Sequence, residues 1–312
     1  MSVAREVVTI LSTTRLARGM WKIVRAILRR RTGLDDYEKV ALGRFVALFA
    51  VGERTATAQL RNGLKIRVRT DDHVGRVLYA MGDFQPRVSW AIRQLLASGD
   101  TVIDVGANIG WFVCTAAPIV GHTGRIEAFE PQAEIAQSLR ETVALNRLSQ
   151  VAIHEYALSD SDGEARFQVL NGNSGAGRIG ETQGAGWREI RVQTRNALEV
   201  FTALNLGHIR MMKLDVEGHE STILETAEPY FSGNAPDVII FESNQCEPGG
   251  FEDRPTVRWL RRLGYRLLQF KQSETFGVEE ISAAGAQPFG NDFIAILDGD
   301  RFDAALRRLA GG

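Results

Sequence analysis

The 312-residue chain is long enough for two domains, or for one α/β domain carrying an extension. Its 44% hydrophobic and 24% charged content excludes a disordered or fibrous protein. With 37 Lys and Arg against 38 Asp and Glu, the net charge of −1 argues against a whole-protein grip on nucleic acid.

Residues 1–31 hold eight basic side chains and the single acid Glu6. Leu16, Met20, Ile23, Val24, Ile27 and Leu28 recur there at helical spacing beside Trp21. The segment reads as a basic amphipathic helix. It either lies on an anionic membrane surface or covers part of the protein's own core. Runs 55–61 and 64–69 flank Asn62-Gly63, which predicts a β-hairpin closed by a type I′ turn. Ile66 and Val68 alternate there with Lys65, Arg67 and Arg69, giving one apolar and one basic face. A boundary near residue 75 then separates this extension from a main domain over 76–312.

From about residue 88 the period changes. Residues 88–98 read as a helix, 101–105 as a buried strand, and a second helix starts at Trp111. Strand 125–129 follows, with a helix opened by Pro131 and running to Asn146. Further strands fall at 151–157, 211–215 and 238–241, so strands alternate with helices as in a parallel, doubly wound sheet. Runs 265–270 and 293–297 lack a helix between them and predict a closing antiparallel pair. Residues 171–186, with six glycines, read as a long loop, either a lid or a floppy insertion.

Cys114 and Cys246 make no Cys-x-x-Cys or Cys/His spacing, which fits a reducing, cytoplasmic setting better than a disulfide scaffold or zinc ribbon. No apolar run reaches the ~20 residues of a membrane span. The N-terminus also lacks the pattern of a cleaved secretory signal.

The chemistry gathers at strand ends. Strand 102–105 runs into Gly106-Ala107-Asn108-Ile109-Gly110, a turn that lets a ligand approach the backbone. Asp104 would repel a pyrophosphate and suits an amine-bearing ligand. The next strand ends in Glu130, where a carboxylate can accept both hydroxyls of a ribose. Turn, acid and spacing together indicate an adenosine-type cofactor. A later strand ends in Lys213-Leu214-Asp215-Val216-Glu217-Gly218-His219-Glu220. So many ionisable groups at a strand end suggest chemistry, although Glu220 also suits the start of a helix. Glu242 ends the following strand. Asp215, Glu217 and Glu242 could also hold a divalent cation.

Residues 104–110, Ala128-Phe129-Glu130-Pro131, Ala157-Leu158-Ser159-Asp160 and 213–220 resemble the FkbM-type S-adenosylmethionine-dependent methyltransferases. Residues 81–86 look like that family's lead-in, with Gln85 where Glu is more usual. The resemblance spans about 78–298. It implies a class I, Rossmann-like α/β fold whose mostly parallel seven-stranded sheet has helices on both faces. It also implies O-methylation of a sugar, glycan or natural-product hydroxyl, with S-adenosyl-L-methionine as cofactor. Carried over, Asp104, Gly106, Asn108 and Gly110 surround the methionine end, Glu130 the ribose, and Ser159 and Asp160 the adenine rim. Asp215, Glu217 and His219 then face the methyl group, with Asp215 or His219 as base and Glu217 orienting the acceptor. The competing readings are a nicotinamide-dependent oxidoreductase and a non-catalytic adapter on the same fold. The first is weakened by the glycine spacing and by the absence of Tyr-x-x-x-Lys.

Overall fold

The computed structural model describes residues 55–181, 184–243, 250–271, 276–282, 288 and 290–310. The expected basic helix of residues 1–31 and Cys246 lie outside the described residues. Strands β1 (Thr55–Gln59) and β2 (Lys65–Arg69) form the expected antiparallel hairpin, with Gln59 opposite Lys65. The turn differs from type I′. Gly63 has φ 91°, Asn62 stays out of the left-handed region, and the Gly63 amide donates to the Leu60 carbonyl. Asn62 serves instead as an anchor, its Nδ2 donating to the Cys114 carbonyl at 2.8 Å.

Helix α1 (His73–Met81) is capped by Asp72 and closed by Gly82, and α2 (Pro86–Leu95) follows. Next come β3 (Thr101–Val105), α3 (Trp111–Val120), β4 (Arg125–Phe129), α4 (Ala133–Asn146) and β5 (Val151–His154). Strands β6 (Ala157–Ser159), β7 (Gly163–Leu170), β8 (Asn173–Ile179) and β9 (Trp187–Asn196) lead to α5 (Ala197–Leu204) and β10 (Met211–Leu214). Helices α6 (Glu220–Thr226) and α7 (Glu228–Asn234), β11 (Val238–Glu242) and α8 (Pro255–Arg262) follow. The described chain closes with β12 (Tyr265–Phe270), β13 (Val278–Glu280), β14 (Asp292–Leu297) and α9 (Asp300–Ala310).

The main sheet has eight strands in the order β13-β12-β14-β11-β10-β3-β4-β5. Strands β11, β10, β3, β4 and β5 run parallel, and β14 enters antiparallel between β11 and β12. The expected antiparallel close is therefore present. The eighth strand, β13, pairs over three residues at the β12 edge and extends the seven-strand expectation. Buried residues alternate between two cores because successive strand side chains point to opposite faces. Val102, Ile126 and Ile240 pack with α2, α3 and α9, whereas Ile103, Phe129 and Phe241 pack with α5, α6, α7 and α8. Ala58, Ile66 and Val68 of the hairpin join the first of these cores.

Residues 171–186 correct the sequence expectation. Much of this segment is β8, the edge of a separate four-stranded sheet in the order β6-β9-β7-β8. Its glycines meet a packing demand: a Cβ on Gly177 would fall 2.6 Å from the Phe167 ring. The sheet has its own small core of Phe167, Val169 and Val192. Among the described residues, no helix is long and apolar enough to cross a membrane.

Candidate active site

Parallel pairing sets the site. Register places Lys213 beside Asp104 and Leu214 beside Val105, while Val105 pairs with Phe129 of β4. The chain leaves β3 through Gly106 at φ 85°, where a Cβ would sit 1.9 Å from the Asp215 carbonyl oxygen. Only glycine fits there. A cavity of about 530 Å3, its open mouth included, lies beyond these strand ends. Gly106, Asn108, Glu130, Asp215 and His219 all line it, with Gly177 of β8 across the space.

Glu130 is buried at 3% exposure, and its carboxylate accepts from the Asn108 amide at 3.0 Å and the Gln132 amide at 2.9 Å. Burial pushes its pKa up to about 7 against those two donors. Asn108 adopts φ 49°, and its side-chain oxygen accepts from the Ile109 amide. Asp104 is fully buried, and neither carboxylate oxygen has a hydrogen-bond partner. Lys213 Nζ stands 3.8 Å from it, and desolvation outweighs that attraction to push the Asp104 pKa up to about 6. An orphaned buried acid is an open acceptor for an ammonium group.

Gly110 lies at the start of α3, and the space its missing side chain leaves is taken by Leu139 of α4. Ser159 is buried at the end of β6, and Asp160 is exposed beside it, accepting from the Ser159 hydroxyl at 3.2 Å. The structure brings His219 to this end: its Nε2 is 3.0 Å from Ser159 Oγ. Burial lowers the His219 pKa, which favours the neutral ring. Glu220 opens α6 and folds the preceding loop, accepting from the Val216 and Gly218 amides.

Asp215 belongs to a different group. Lys213 Nζ binds its Oδ2 at 2.9 Å, and carboxylate oxygens of Asp215, Glu217 and Glu242 come within 4.8 Å of one another. Pairing of Glu242 with Asp292 across β11 and β14 adds a fourth acid. Burial, then the neighbouring Asp215, Glu217 and Asp292 charges, drive the Glu242 pKa up and favour its protonated form. Such a cluster can take the proton of an acceptor, and three of its members have the spacing to bind a divalent cation.

Several members of the site escaped the sequence reading. Lys213 stands in the quoted motif, but its contact with Asp104 depends on the pairing of β10 with β3. Tyr156 and Gln132 line the cavity, and Asp83, from the lead-in segment, fixes Trp111 at the head of α3 by accepting its indole N–H at 2.9 Å.

A doubly wound sheet with this glycine turn after β3 and the buried carboxylates of Asp104 and Glu130 beside it has the arrangement of a Rossmann-like S-adenosylmethionine-dependent methyltransferase. The family model described as the methyltransferase FkbM domain matches residues 104–267, and the chain belongs to that family. Its cofactor is S-adenosylmethionine.

The chain is similar to several solved structures, among them an S-adenosylmethionine-dependent O-methyltransferase from Thermotoga maritima. It is 14% identical with a TM-score of 0.39, over 79% of this chain and 93% of that one. An O-methyltransferase of tomaymycin synthesis from Streptomyces achromogenes is 12% identical with a TM-score of 0.38, over 68% and 79%. A precorrin-6y C5,15-methyltransferase from Geobacter metallireducens is 12% identical with a TM-score of 0.39, over 68% and 89%. No curated protein sequence matches the chain.

Proposed function

We propose that the protein methylates a hydroxyl group of a sugar, glycan or natural product, with Asp104 and Glu130 holding the cofactor and Asp215 facing the acceptor. The acid cluster of Asp215, Glu217 and Glu242 at the cavity's edge is the observation that carries this reading. The cofactor supplies an electrophilic methyl group on a sulfonium. An alcohol is a poor nucleophile at neutral pH, so a positioned base must accept its proton as the new bond forms. Asp215 is mounted directly after β10 and steadied by Lys213, which suits that role. Glu217 and Glu242 can then orient neighbouring hydroxyls of a polyol. His219, held against Ser159, is the second candidate for the base. A concentration of carboxylates favours neutral, donor-rich acceptors over anionic ones. Incubation with methyl-labelled cofactor and panels of neutral glycans, phosphorylated sugars and amines tests the proposal. A labelled methoxy carbon in a neutral glycan or polyol supports it, and label only on nitrogen contradicts it.

Binding should release protons near neutrality. Ribose hydroxyls donating to Glu130 favour its ionised form and pull its pKa down from about 7. Affinity for S-adenosylhomocysteine should therefore rise between pH 6 and pH 8, an interval set by that value. Calorimetry near pH 6.5 in buffers of different ionisation enthalpy reads the release directly. Identical heats in all buffers would speak against a ribose contact at Glu130.

A lipid-linked acceptor would suit the basic segment 1–31, whose side chains would each add about 1 kcal/mol of attraction near an anionic surface. The full chain should then co-sediment with anionic vesicles better than a form starting at Asp35, and salt should abolish the difference. Equal sedimentation of the two forms assigns the segment to the protein's own core.

A further inference from the structure

Strand β8 crosses the cofactor cavity, and its attachment is unusual. Among the described residues it is an edge strand paired with β7 alone, and the register shifts between Gln168 and Leu170. Every residue from Asn173 to Ile179 is half-buried. Its first half is tied to the N-terminal end of α1 through one carboxylate. Asp72 Oδ2 accepts from the Ser174 amide at 2.6 Å, and Oδ1 accepts from the Ser174 hydroxyl at 3.0 Å. Asp72 also caps α1 through the Gly75 amide, and the His73 amide donates to the Gly172 carbonyl at 2.8 Å. The Ser174 hydroxyl lies 3.3 Å from Asn108 Oδ1 in the glycine turn.

Beyond this tie lies a second, larger cleft of about 1510 Å3, its open mouth included, bordered by Arg69, Asp71 and Asp72. Pro131, Gln132 and Ser174 line both spaces. Ser174 and its neighbours thus form the partition between the cofactor cavity and an open cleft. A buried carboxylate binding two donors of one residue is a strong, local fastening, since hydrogen bonds to ionised groups exceed those between neutral ones.

We infer that Asp72 is a positioning residue for the cofactor. By fastening Ser174 to the head of α1, it holds β8 shut across the cavity and slows the cofactor's departure through the neighbouring cleft. This rests on the reading that the cofactor occupies the cavity at Glu130. Asp72 touches no reacting atom, so its effect falls on residence time more than on encounter.

The test follows dissociation of S-adenosylhomocysteine from the full-length chain by displacement kinetics. The variants are Asp72→Asn, Ser174→Ala, their combination, and Glu130→Ala as a control. Asp72→Asn keeps a capping side chain for α1. Ser174→Ala leaves that cap untouched, so one variant remains informative if the other folds poorly. The expected result is dissociation faster by about tenfold in Asp72→Asn, the size of one lost charge-assisted hydrogen bond. Ser174→Ala should show a smaller acceleration, and the combination should fall short of the product of the two. A lower melting temperature with wild-type dissociation rates in these variants overturns the fastening role, provided that Glu130→Ala still weakens binding. Wild-type binding by Glu130→Ala overturns the cofactor's placement, and the inference with it.

Discussion

Asp215→Asn should lower turnover by about 10²- to 10⁴-fold while leaving cofactor affinity nearly unchanged. That range is typical for removal of a general base, and asparagine cannot take a proton from the acceptor. The substitution preserves shape, and Lys213 Nζ, now 2.9 Å from Oδ2, keeps an oxygen to bind. An interaction made only in the transition state lowers kcat and kcat/KM together. Single-turnover methyl transfer to an acceptor found in the glycan panel, with parallel calorimetry of S-adenosylhomocysteine, separates the two quantities. His219→Ala is the companion variant. Full activity in Asp215→Asn with loss in His219→Ala would move the base to the histidine beside Ser159. Full activity in both would leave catalysis to alignment alone.

Asp104→Asn should act in opposite directions on binding and on stability. Losing a charged partner for the cofactor's ammonium should weaken binding by about 1.5–3 kcal/mol. The cofactor-free protein should gain stability, because both Asp104 oxygens are buried without hydrogen-bond partners. The sign of the pH dependence follows from the raised pKa of about 6. The folded chain binds this proton more tightly than the unfolded chain does, so the carboxyl favours folding at low pH. That contribution is lost as pH rises from about 4 to about 6. The variant should therefore match the wild type near pH 4 and exceed it by about 1–3 kcal/mol at pH 8, the cost of a buried unsatisfied group. Urea unfolding of both proteins at the two pH values measures this. A variant less stable than the wild type at pH 8 would show that Lys213 already compensates the Asp104 charge.

The parallel core of this fold was legible because its strands are short apolar runs joined by helices of clear period. Strand 125–129 and the start of α3 at Trp111 fall where the sequence places them. The second sheet was not. Its strands β7 and β9 are antiparallel neighbours with charged outer faces, and their alternation, as in Ile190 and Val192 among Arg191 and Gln193, is brief. Glycine-rich β8 has the composition of a loop, and its strand form is supported by Phe167 of the neighbouring β7 and by Asp72, far from it in sequence. The acids of the candidate site could be singled out because they stand at strand ends. How they divide could not, since His219 meets Ser159 only when α6 packs beneath β6. The bond between Asp72 and Ser174, 102 residues apart, has no local signature at all.

We place S-adenosylmethionine in one cavity, between the ends of the parallel strands and β8, with its ribose at Glu130. Calorimetric titration of the full chain with S-adenosylhomocysteine, comparing the wild type with Glu130→Ala, tests it most directly. One site per chain is expected, with an affinity reduced by about 1.5–3 kcal/mol in the variant and unfolding still cooperative. Equal affinity in the two proteins would contradict it.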